Sequence, residues 1–371
     1  MGKGDCYMTK IIGSPTRYIQ GKGELKTISK HVSVIGDNMF ILIDKNIQDI
    51  VLPDLEGGLK DSKYTIEAFN GECSMVEINR IIDVLKAKEG NVVVGVGGGK
   101  TIDTAKAVAY YAHVPVVIVP TIAATDAPCS ALSVIYTEEG VFEKYLFLPS
   151  NPNIVIVDTD VVSKAPARLL ASGIGDALAT YFEARACYQS EADNCVGGKP
   201  TKTAIALAKL CYDTLLEDGV QAVLAVKNKV CTKAVENIIE ANTYLSGIGF
   251  ESGGLAGAHA VHNGLTAIEE THKFYHGEKV AFGTLVQLVL ENAPMEEIMD
   301  VVNLCMQVGL PTTLGDLDVN EIKPDQIMEV AKLVCAPGDT IGNMPFAVTP
   351  EDVYAAILAA DELGKYLKTV L

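Results

Sequence analysis

The sequence predicts an α/β amino-terminal half followed by an all-helical carboxyl-terminal half. From residue 16 to about 160, short β-branched runs alternate with helical stretches, which is typical of βαβ units around a mainly parallel sheet. Beyond Pro166 the apolar periodicity changes from 2 to 3.6 and strand runs are absent. The turn-rich segment 158–166 separates the two patterns. We therefore expect an α/β domain at 1–164 and a helical domain at 165–371.

The expected strands are the runs 39–44, 64–69, 91–96, 114–119 and 154–157. The run Val92-Val-Val-Gly-Val96 is apolar on both faces, as a central strand covered by helices would be. The expected helices of the second half include 176–187, 201–216 and 229–245. Each is a long amphipathic stretch that can bury one face.

Composition limits the class of protein and its partners. The 371 residues are 49% hydrophobic and 21% charged, which suits two domains with large buried cores. The net charge of -17 repels phosphate backbones and anionic headgroups, and thus indicates small-molecule ligands rather than nucleic acid or membrane. The nine cysteines without CxxC spacing indicate reduced thiols. The first ten residues lack an apolar signal-peptide core, so we expect a cytoplasmic protein.

A glycine-rich turn follows the strand 91–96 and opens a helix. Its backbone amides and the helix N-terminus can approach a pyrophosphate closely. The turn departs from the GxGxxG pattern because Lys100 stands at the third glycine, and from Walker A because Gly95 and Gly99 are separated by three residues. The candidate cofactor contacts in this turn are Gly97, Gly98, Gly99, Lys100 and Asp103. A tight turn without a ligand is the alternative.

Asp44 ends the strand 39–44, where a carboxylate can accept a hydrogen bond from an adenosine ribose and repel the extra phosphate of NADP. It therefore favours NAD, although an acid after a strand is often simply solvated. The segment 120–136 follows the strand 114–119 and should lie at the same carboxyl edge of the sheet. Its candidate contacts are Thr121, Ser130, Leu132 and Tyr136 for the cofactor and Asp126 for the substrate. The alternative is a loop whose polar side chains satisfy its own backbone.

Three side chains in the second half are candidate metal ligands. Asp176 lies in Gly-Ile-Gly-Asp, His259 in Gly-Ala-His, and His276 in Tyr-His-Gly-Glu-Lys. One carboxylate and two neutral imidazoles can hold a divalent metal and leave a position open for substrate. The alternatives are a dipole-stabilising acid at a helix N-terminus and ordinary polar histidines, since no compact zinc motif is present. His259 and His262 are three residues apart and can face one side of a helix.

At these residues the chain resembles the glycerol dehydrogenases of the metal-dependent, iron-containing type of alcohol dehydrogenase family. The resemblance covers nearly the whole chain and rests on GGGKTID, PTIAATDAPCSALSVIY, GIGDALATYFEAR, SGGLAGAHAVHNG and YHGEKVAFGTL. It implies an N-terminal Rossmann-like nucleotide-binding domain and an all-α C-terminal domain, in a dehydroquinate synthase-like fold.

The resemblance also implies a zinc ion held by Asp176, His259 and His276, with these side chains contacting the substrate. Iron is disfavoured because Thr180 stands where some iron-type relatives have a further histidine. The expected activity is the NAD-dependent oxidation of glycerol to dihydroxyacetone and its reverse, with other 1,2-diols as further substrates. Asp126 would orient a substrate hydroxyl and His262 would act through the metal ligands. A homo-oligomer, with an octamer as the expected form, is implied as well.

Two other functions stay open from the sequence. A phosphorylated substrate, as in glycerol-1-phosphate dehydrogenase or dehydroquinate synthase, needs several basic side chains to pair with the phosphate. The metal-binding segments offer few, Arg185 and Lys279 among them, so a neutral polyol is favoured. The other alternative is a non-catalytic NAD-binding protein, against which the presence of all three candidate ligands argues.

Overall fold

The computed structural model describes residues 9–371; the first eight residues, including Cys6, lie outside the described part of the chain. Two compact units are present, and each is assembled from separate segments. The sheet unit comprises residues 14–170 and 221–247, and the helical unit comprises 9–13, 171–220 and 248–371. The predicted division at 164/165 differs from this one, because the sheet unit also includes the later helical segment 221–247. Periodicity shows that a helix has a buried face, but it does not show which unit buries that face.

Eight strands lie within the described residues: β1 (Arg17–Gly21), β2 (Asn38–Asp44), β3 (Lys63–Phe69), β4 (Val92–Gly97), β5 (Val116–Pro120), β6 (Leu132–Tyr136), β7 (Phe142–Phe147) and β8 (Ile154–Asp158). Six of them form a sheet in the order β1-β8-β5-β4-β2-β3. Every neighbouring pair in this sheet is parallel. The predicted parallel α/β arrangement of the amino-terminal half is therefore confirmed.

The central strands form because their side chains are apolar on both faces. All residues of β4 and β8 are buried, and so are those of β2 except Asp44. Their valines and isoleucines belong to one hydrophobic cluster with apolar side chains of the neighbouring helices. Burial of this kind stabilises the sheet by about 25 cal/mol per Å² of apolar surface removed from water.

The sheet has a switch point between β2 and β4. From β2 the chain moves outward to β3, whereas from β4 it moves in the opposite direction to β5. Ile43 of β2 is in register with Val96 of β4, so that Asp44 and Gly97 end adjacent strands at the same edge. Open α/β sheets bind ligands in the crevice at such a point. The topology thus brings the predicted acid and the predicted glycine turn to the same edge of the sheet.

Three strands were not predicted from the sequence. β1 is a short edge strand of mixed polarity, and it pairs with β8, which lies far from it in the sequence. β6 and β7 form a separate antiparallel pair, and β7 is exposed at nearly all of its residues. Edge and exposed strands carry little of the buried apolar signal by which central strands are recognised.

The helices are α1 (Ile28–Val32), α2 (Gln48–Gly58), α3 (Met75–Ala87), α4 (Gly99–Ala112), α5 (Thr159–Val162), α6 (Ala167–Ser190), α7 (Lys202–Lys227), α8 (Lys233–Glu240), α9 (Ser246–Gly253), α10 (Gly257–Leu265), α11 (His276–Leu290), α12 (Met295–Val308), α13 (Pro324–Val334) and α14 (Pro350–Val370). No strand follows β8 in residues 9–371, which confirms the helical character predicted for the second half. Within that range no helix has the length and apolar character needed to cross a membrane.

Candidate active site

Two helices of the helical unit approach each other closely through glycines. An added Cβ at Gly277 of α11 would lie 1.8 Å from the carbonyl oxygen of Ser172 in α6, and one at Gly175 would lie 2.3 Å from the carbonyl oxygen of Gly277. Only glycine permits this backbone contact. It fixes Asp176, which follows Gly175, next to His276, which precedes Gly277.

A third helix joins this pair through a small apolar cluster. Ala179 of α6, Ala258 of α10 and Val280 of α11 are fully buried and pack together. Because His259 follows Ala258 directly, this packing turns the histidine of α10 toward Asp176. Asp176 lies in the interior of α6 rather than at its start, so a helix N-terminus does not explain its burial.

The structure brings the three predicted metal ligands together. Nε2 of His276 lies 3.0 Å from Oδ1 of Asp176, and Nε2 of His259 lies 3.4 Å from the same oxygen. The three candidate ligand atoms all lie within 4.8 Å of one another. A buried carboxylate oxygen facing two imidazole nitrogens is a donor set that fits a divalent cation such as Zn²⁺.

A chain of hydrogen bonds extends from His276 to a carboxylate. Nδ1 of His276 lies 3.1 Å from Nε2 of His262, whose Nδ1 lies 3.2 Å from Oδ1 of Asn263. The Asn263 amide nitrogen donates to Asp339 at 3.2 Å, so its oxygen is the atom that faces His262. His262 then donates from Nδ1 and accepts from His276 at Nε2. This order leaves the Nε2 lone pair of His276 directed at Asp176.

A buried carboxylate beside His259 was not predicted from the sequence. Oε2 of Glu183 lies 2.6 Å from Nδ1 of His259, and its Oε1 accepts hydrogen bonds from the backbone of Ala256 and His259. Glu183 lies two turns after Asp176 on α6 and is fully buried. Its spacing of seven residues from Asp176 is the one available sequence signal, because it places both acids on one helix face.

The cluster shifts the pKa values of its members in opposite directions. Burial alone would raise the pKa of Asp176, but the adjacent His276 and His259 lower it well below its usual range. Burial alone would lower the pKa of His259, but Glu183 and Asp176 raise it well above 6.5. Burial, together with the neighbouring His276, lowers the pKa of His262 well below 6.5 and keeps that ring neutral. Positive charge is thus favoured beside Asp176, and a proton and a metal cation compete for this position.

The predicted cofactor-binding turn joins β4 to α4. The turn is tight because a Cβ at Gly97 would lie 2.7 Å from Oγ1 of Thr101. Gly98 is the N-cap of α4 and has no side chain that could cap the helix. A Cβ at Gly99 would meet nothing within 4 Å. The first amides of α4 are therefore approachable, which is what an anionic pyrophosphate requires.

Side chains at this edge are partly engaged with one another. Nζ of Lys100 lies 2.6 Å from Oε2 of Glu72 and 5.1 Å from the ring centre of Tyr136. Burial, with Asp103 and Glu72 nearby, raises the pKa of Tyr136 to about 12. Oδ1 of Asp44 accepts from the backbone of Asn46 at 2.9 Å.

Asp103 is engaged inside the protein. Its Oδ2 accepts from the Val134 backbone at 3.0 Å, and its Oδ1 lies 3.0 Å from Nζ of the fully buried Lys106. Lys106 also donates to the carbonyl oxygen of Leu132 and to Oγ of Ser130 at 3.3 Å. These contacts favour a structural role for Asp103 over the predicted cofactor contact. Lys106, which was not predicted from the sequence, connects α4 to the segment that carries Ser130 and Leu132.

The remaining predicted contacts of the sheet unit lie in the segment after β5. The backbone N–H of Thr121 donates to the carbonyl oxygen of Gly97 at 3.1 Å, so the segment begins beside the glycine turn. Asp126 is half-buried, and its Oδ2 accepts from Oγ of Ser246 at 2.9 Å. The side chain of Asp126 is thereby held in a defined orientation.

The basic residues near the metal ligands are not arranged for a phosphate. The guanidinium of Arg185 pairs with Glu291 at 2.7 Å and with Glu297 at 2.7 Å. Burial lowers the pKa of Lys279, an effect that Glu278 partly offsets. Two carboxylates already balance Arg185, and Lys279 is largely shielded from solvent.

Comparison with known proteins gives consistent matches. The family model described as iron-containing alcohol dehydrogenase matches residues 15–159. The chain is 55% identical over 360 residues to the glycerol dehydrogenase of Citrobacter freundii, covering 96% of this chain and 99% of that protein. Among solved structures, the glycerol dehydrogenase of Schizosaccharomyces pombe matches with a TM-score of 0.93 and 38% identity, covering 98% of this chain and 93% of that one. A probable glycerol dehydrogenase from Sinorhizobium meliloti 1021 matches with a TM-score of 0.90 and 46% identity, covering 96% and 99%.

Full-length similarity at this level identifies the protein as an oxidoreductase of the dehydrogenase type. The chain belongs to the iron-containing alcohol dehydrogenase family.

Proposed function

We propose that the protein catalyses the NAD-linked, metal-dependent oxidation of glycerol to dihydroxyacetone and the reverse reduction, with other 1,2-diols as further substrates. The observation that carries the proposal is the convergence of Asp176, His259 and His276, whose ligand atoms lie within 4.8 Å of one another. The names of the full-length relatives support glycerol as the substrate.

Zinc is the metal that this donor set favours. Three protein ligands leave at least one coordination position for substrate oxygen, as in catalytic zinc sites. Thr180 lies one turn after Asp176 and is fully buried. Its methyl group packs so closely on Gly249 that a Cβ added to this glycine would lie only 2.5 Å from it. This close packing leaves little space for a fourth imidazole ligand. A divalent cation bound here would act as a Lewis acid toward the hydroxyl groups of the substrate.

The cofactor would bind at the switch point of the sheet. The amides of Gly97, Gly98 and Gly99 at the start of α4 would hold the pyrophosphate, with Lys100 as a further cation. The second carboxylate oxygen of Asp44 would accept from the adenosine ribose, which favours NAD over NADP. NAD⁺ bound there would supply the hydride acceptor. Thr121, Ser130, Leu132 and Tyr136 are the further contacts that we propose.

The protein's own residues orient the reacting groups. Oxidation removes a hydride from the carbinol carbon and a proton from its hydroxyl group. We assign Asp126 to orienting a substrate hydroxyl, since its carboxylate is already held by Ser246. His262 would fix the ring of His276 through its Nε2, because it is neutral and positioned by Asn263.

A neutral polyol is a better substrate for this site than a phosphorylated one. Arg185 is balanced by two glutamates, and burial lowers the pKa of Lys279, so neither is disposed to pair with a phosphate. Retention of all three ligands argues against a non-catalytic NAD-binding protein. We also propose a cytoplasmic location and a homo-oligomeric state, with an octamer as the expected form.

The test is absorbance at 340 nm with NAD⁺ and, side by side, glycerol, 1,2-propanediol and glycerol-1-phosphate. We expect turnover of the two diols, loss of activity on chelation, and recovery with Zn²⁺. His259→Ala should bind Zn²⁺ weakly and stay inactive. Full activity of metal-stripped His259→Ala would reject the metal-dependent mechanism, and a preference for glycerol-1-phosphate would reject the neutral substrate.

A further inference from the structure

The carboxylate of Glu183 is buried and fully engaged, and no step assigned above uses it. Its Oε1 accepts from the backbone N–H of Ala256 at 2.8 Å and of His259 at 2.9 Å. Its Oε2 lies 2.6 Å from Nδ1 of His259. Two elements thus meet at this side chain: the N-terminus of α10, where Ala256 is the N-cap, and the ring of one metal-ligand candidate.

These contacts determine which ring nitrogen of His259 carries the hydrogen. A carboxylate accepts hydrogen bonds at both oxygens, and Oε1 of Glu183 already accepts from two backbone N–H groups. Nδ1 of His259 is therefore the donor in the contact with Oε2. A neutral imidazole whose Nδ1 carries the hydrogen has its lone pair on Nε2, and Nε2 is the atom that faces Asp176 at 3.4 Å.

We propose that Glu183 is a positioning residue that holds His259 in the orientation and tautomer in which Nε2 is available as a metal ligand. The inference rests on the proposed metal-dependent function and adds a residue to it. His276 receives the equivalent restraint from His262, so each imidazole ligand has its own partner at Nδ1. Removal of such a partner typically lowers metal affinity or activity 10–100-fold.

Glu183→Gln separates this role from the capping of α10. The amide oxygen can still accept from the backbone of Ala256 and His259, so the helix start is preserved. The amide nitrogen then faces Nδ1 and can only donate, which moves the ring hydrogen to Nε2 and blocks that atom as a ligand. The opposite amide orientation would place an NH₂ group against two backbone N–H donors.

The experiment measures Zn²⁺ affinity by competition with a chromophoric chelator, unfolding by urea in EDTA, and glycerol-dependent NAD⁺ reduction. We expect Glu183→Gln to remain folded in EDTA, less stable than wild type because the buried charge beside His259 is removed, and to bind Zn²⁺ about 10–100-fold more weakly. Proton–nitrogen correlation spectra of histidine-labelled protein should place the ring hydrogen of His259 on Nδ1 in Zn²⁺-loaded wild type. In the metal-free variant, the hydrogen should lie on Nε2.

Gln287→Met is the matched control. Oε1 of Gln287 accepts from the backbone of Ala258 at 2.9 Å, so this change removes a cap of α10 without touching the His259 ring. We expect it to lower stability and to leave Zn²⁺ affinity within a few-fold of wild type. If Glu183→Gln binds Zn²⁺ as tightly as wild type, or Gln287→Met loses as much affinity, the role of Glu183 is rejected while the metal centre stands. If wild type itself holds no Zn²⁺, the proposed function and this inference are both rejected.

Discussion

The contact between α6 and α11 gives the sharpest prediction, because one methyl group at Gly277 tests both packing and metal binding. A Cβ there would lie 1.8 Å from the carbonyl oxygen of Ser172 and 2.9 Å from the backbone nitrogen of Asp176. Ordinary contact begins near 3.4 Å, so relief of the clash needs a displacement of about 3.4 less 1.8, or 1.6 Å. Neither contacting atom belongs to a flexible side chain, so the two helices themselves must move.

We expect Gly277→Ala to lower the free energy of unfolding in EDTA by about 1–3 kcal/mol, the usual range for an overpacked core. His276 follows the shift of α11, and a misplacement of about 1 Å at a reacting centre can lower activity about a hundredfold. Urea unfolding, Zn²⁺ competition and glycerol turnover measure the three effects.

Gly57→Ala is the control for the intrinsic effect of adding a methyl group to a helix. Gly57 lies in α2, and a Cβ there would meet nothing within 4 Å. We expect this variant to gain up to about 1 kcal/mol in stability, since alanine has the higher helix propensity. If Gly277→Ala unfolds and binds Zn²⁺ like wild type, the glycine contact does not position the metal centre.

Three further outcomes follow from buried charges and the histidine chain. Lys106→Met should lower the free energy of unfolding by about 3–5 kcal/mol in urea, because it leaves the carboxylate of Asp103 buried without its cation; it should also raise the KM for NAD⁺. His262→Phe should lower Zn²⁺ affinity about 10–100-fold in chelator competition, because His276 loses its partner at Nδ1. Burial alone would raise the pKa of Glu77, but its hydrogen bonds to Arg80 lower that pKa below 4.5. The ionised Glu77 therefore stabilises the folded state fully above pH 4.5, and this contribution is lost as pH falls through the lower pKa of the folded state. Glu77→Gln should be less stable than wild type only above this pH range.

A specific result would contradict each of these expectations. Restoration of stability by the double change Asp103→Asn and Lys106→Met would support the ion-pair account, and no loss in the single variant would contradict it. Unchanged Zn²⁺ binding in His262→Phe would mean that His276 needs no partner. A constant stability difference between Glu77→Gln and wild type on both sides of pH 4.5 would exclude a protonation origin.

The main elements of the fold could be predicted from local pattern alone. The strands β2, β4 and β8 are apolar at nearly every position, and the long helices repeat their apolar residues with the helical period. These signals are local, because burial on one or both faces fixes residue type along a single element. β1 and β7 escaped prediction because their residues are partly or wholly exposed.

The chemistry of the candidate site was also available from the sequence, but its assembly was not. Residue types and flanking glycines indicated Asp176, His259 and His276 as ligands, and family resemblance gave them a common role. Glu183 was not distinguishable from an ordinary surface acid of an amphipathic helix. The sequence predicts Asp103 as a cofactor contact, and it does not show that Lys106 engages the carboxylate, because the i,i+3 spacing of the two residues is common in surface ion pairs.

The sequence by itself determined the central strands and the long helices, and it supplied one carboxylate and two imidazoles that suit a metal. Only the tertiary structure decided that these groups meet, that each imidazole has a partner at Nδ1, and that Asp103 is engaged internally. The reason is that residue pattern records the burial of each element. A ligand atom's position, in contrast, depends on backbone contacts such as that of Gly277 with Ser172, between residues far apart in the chain.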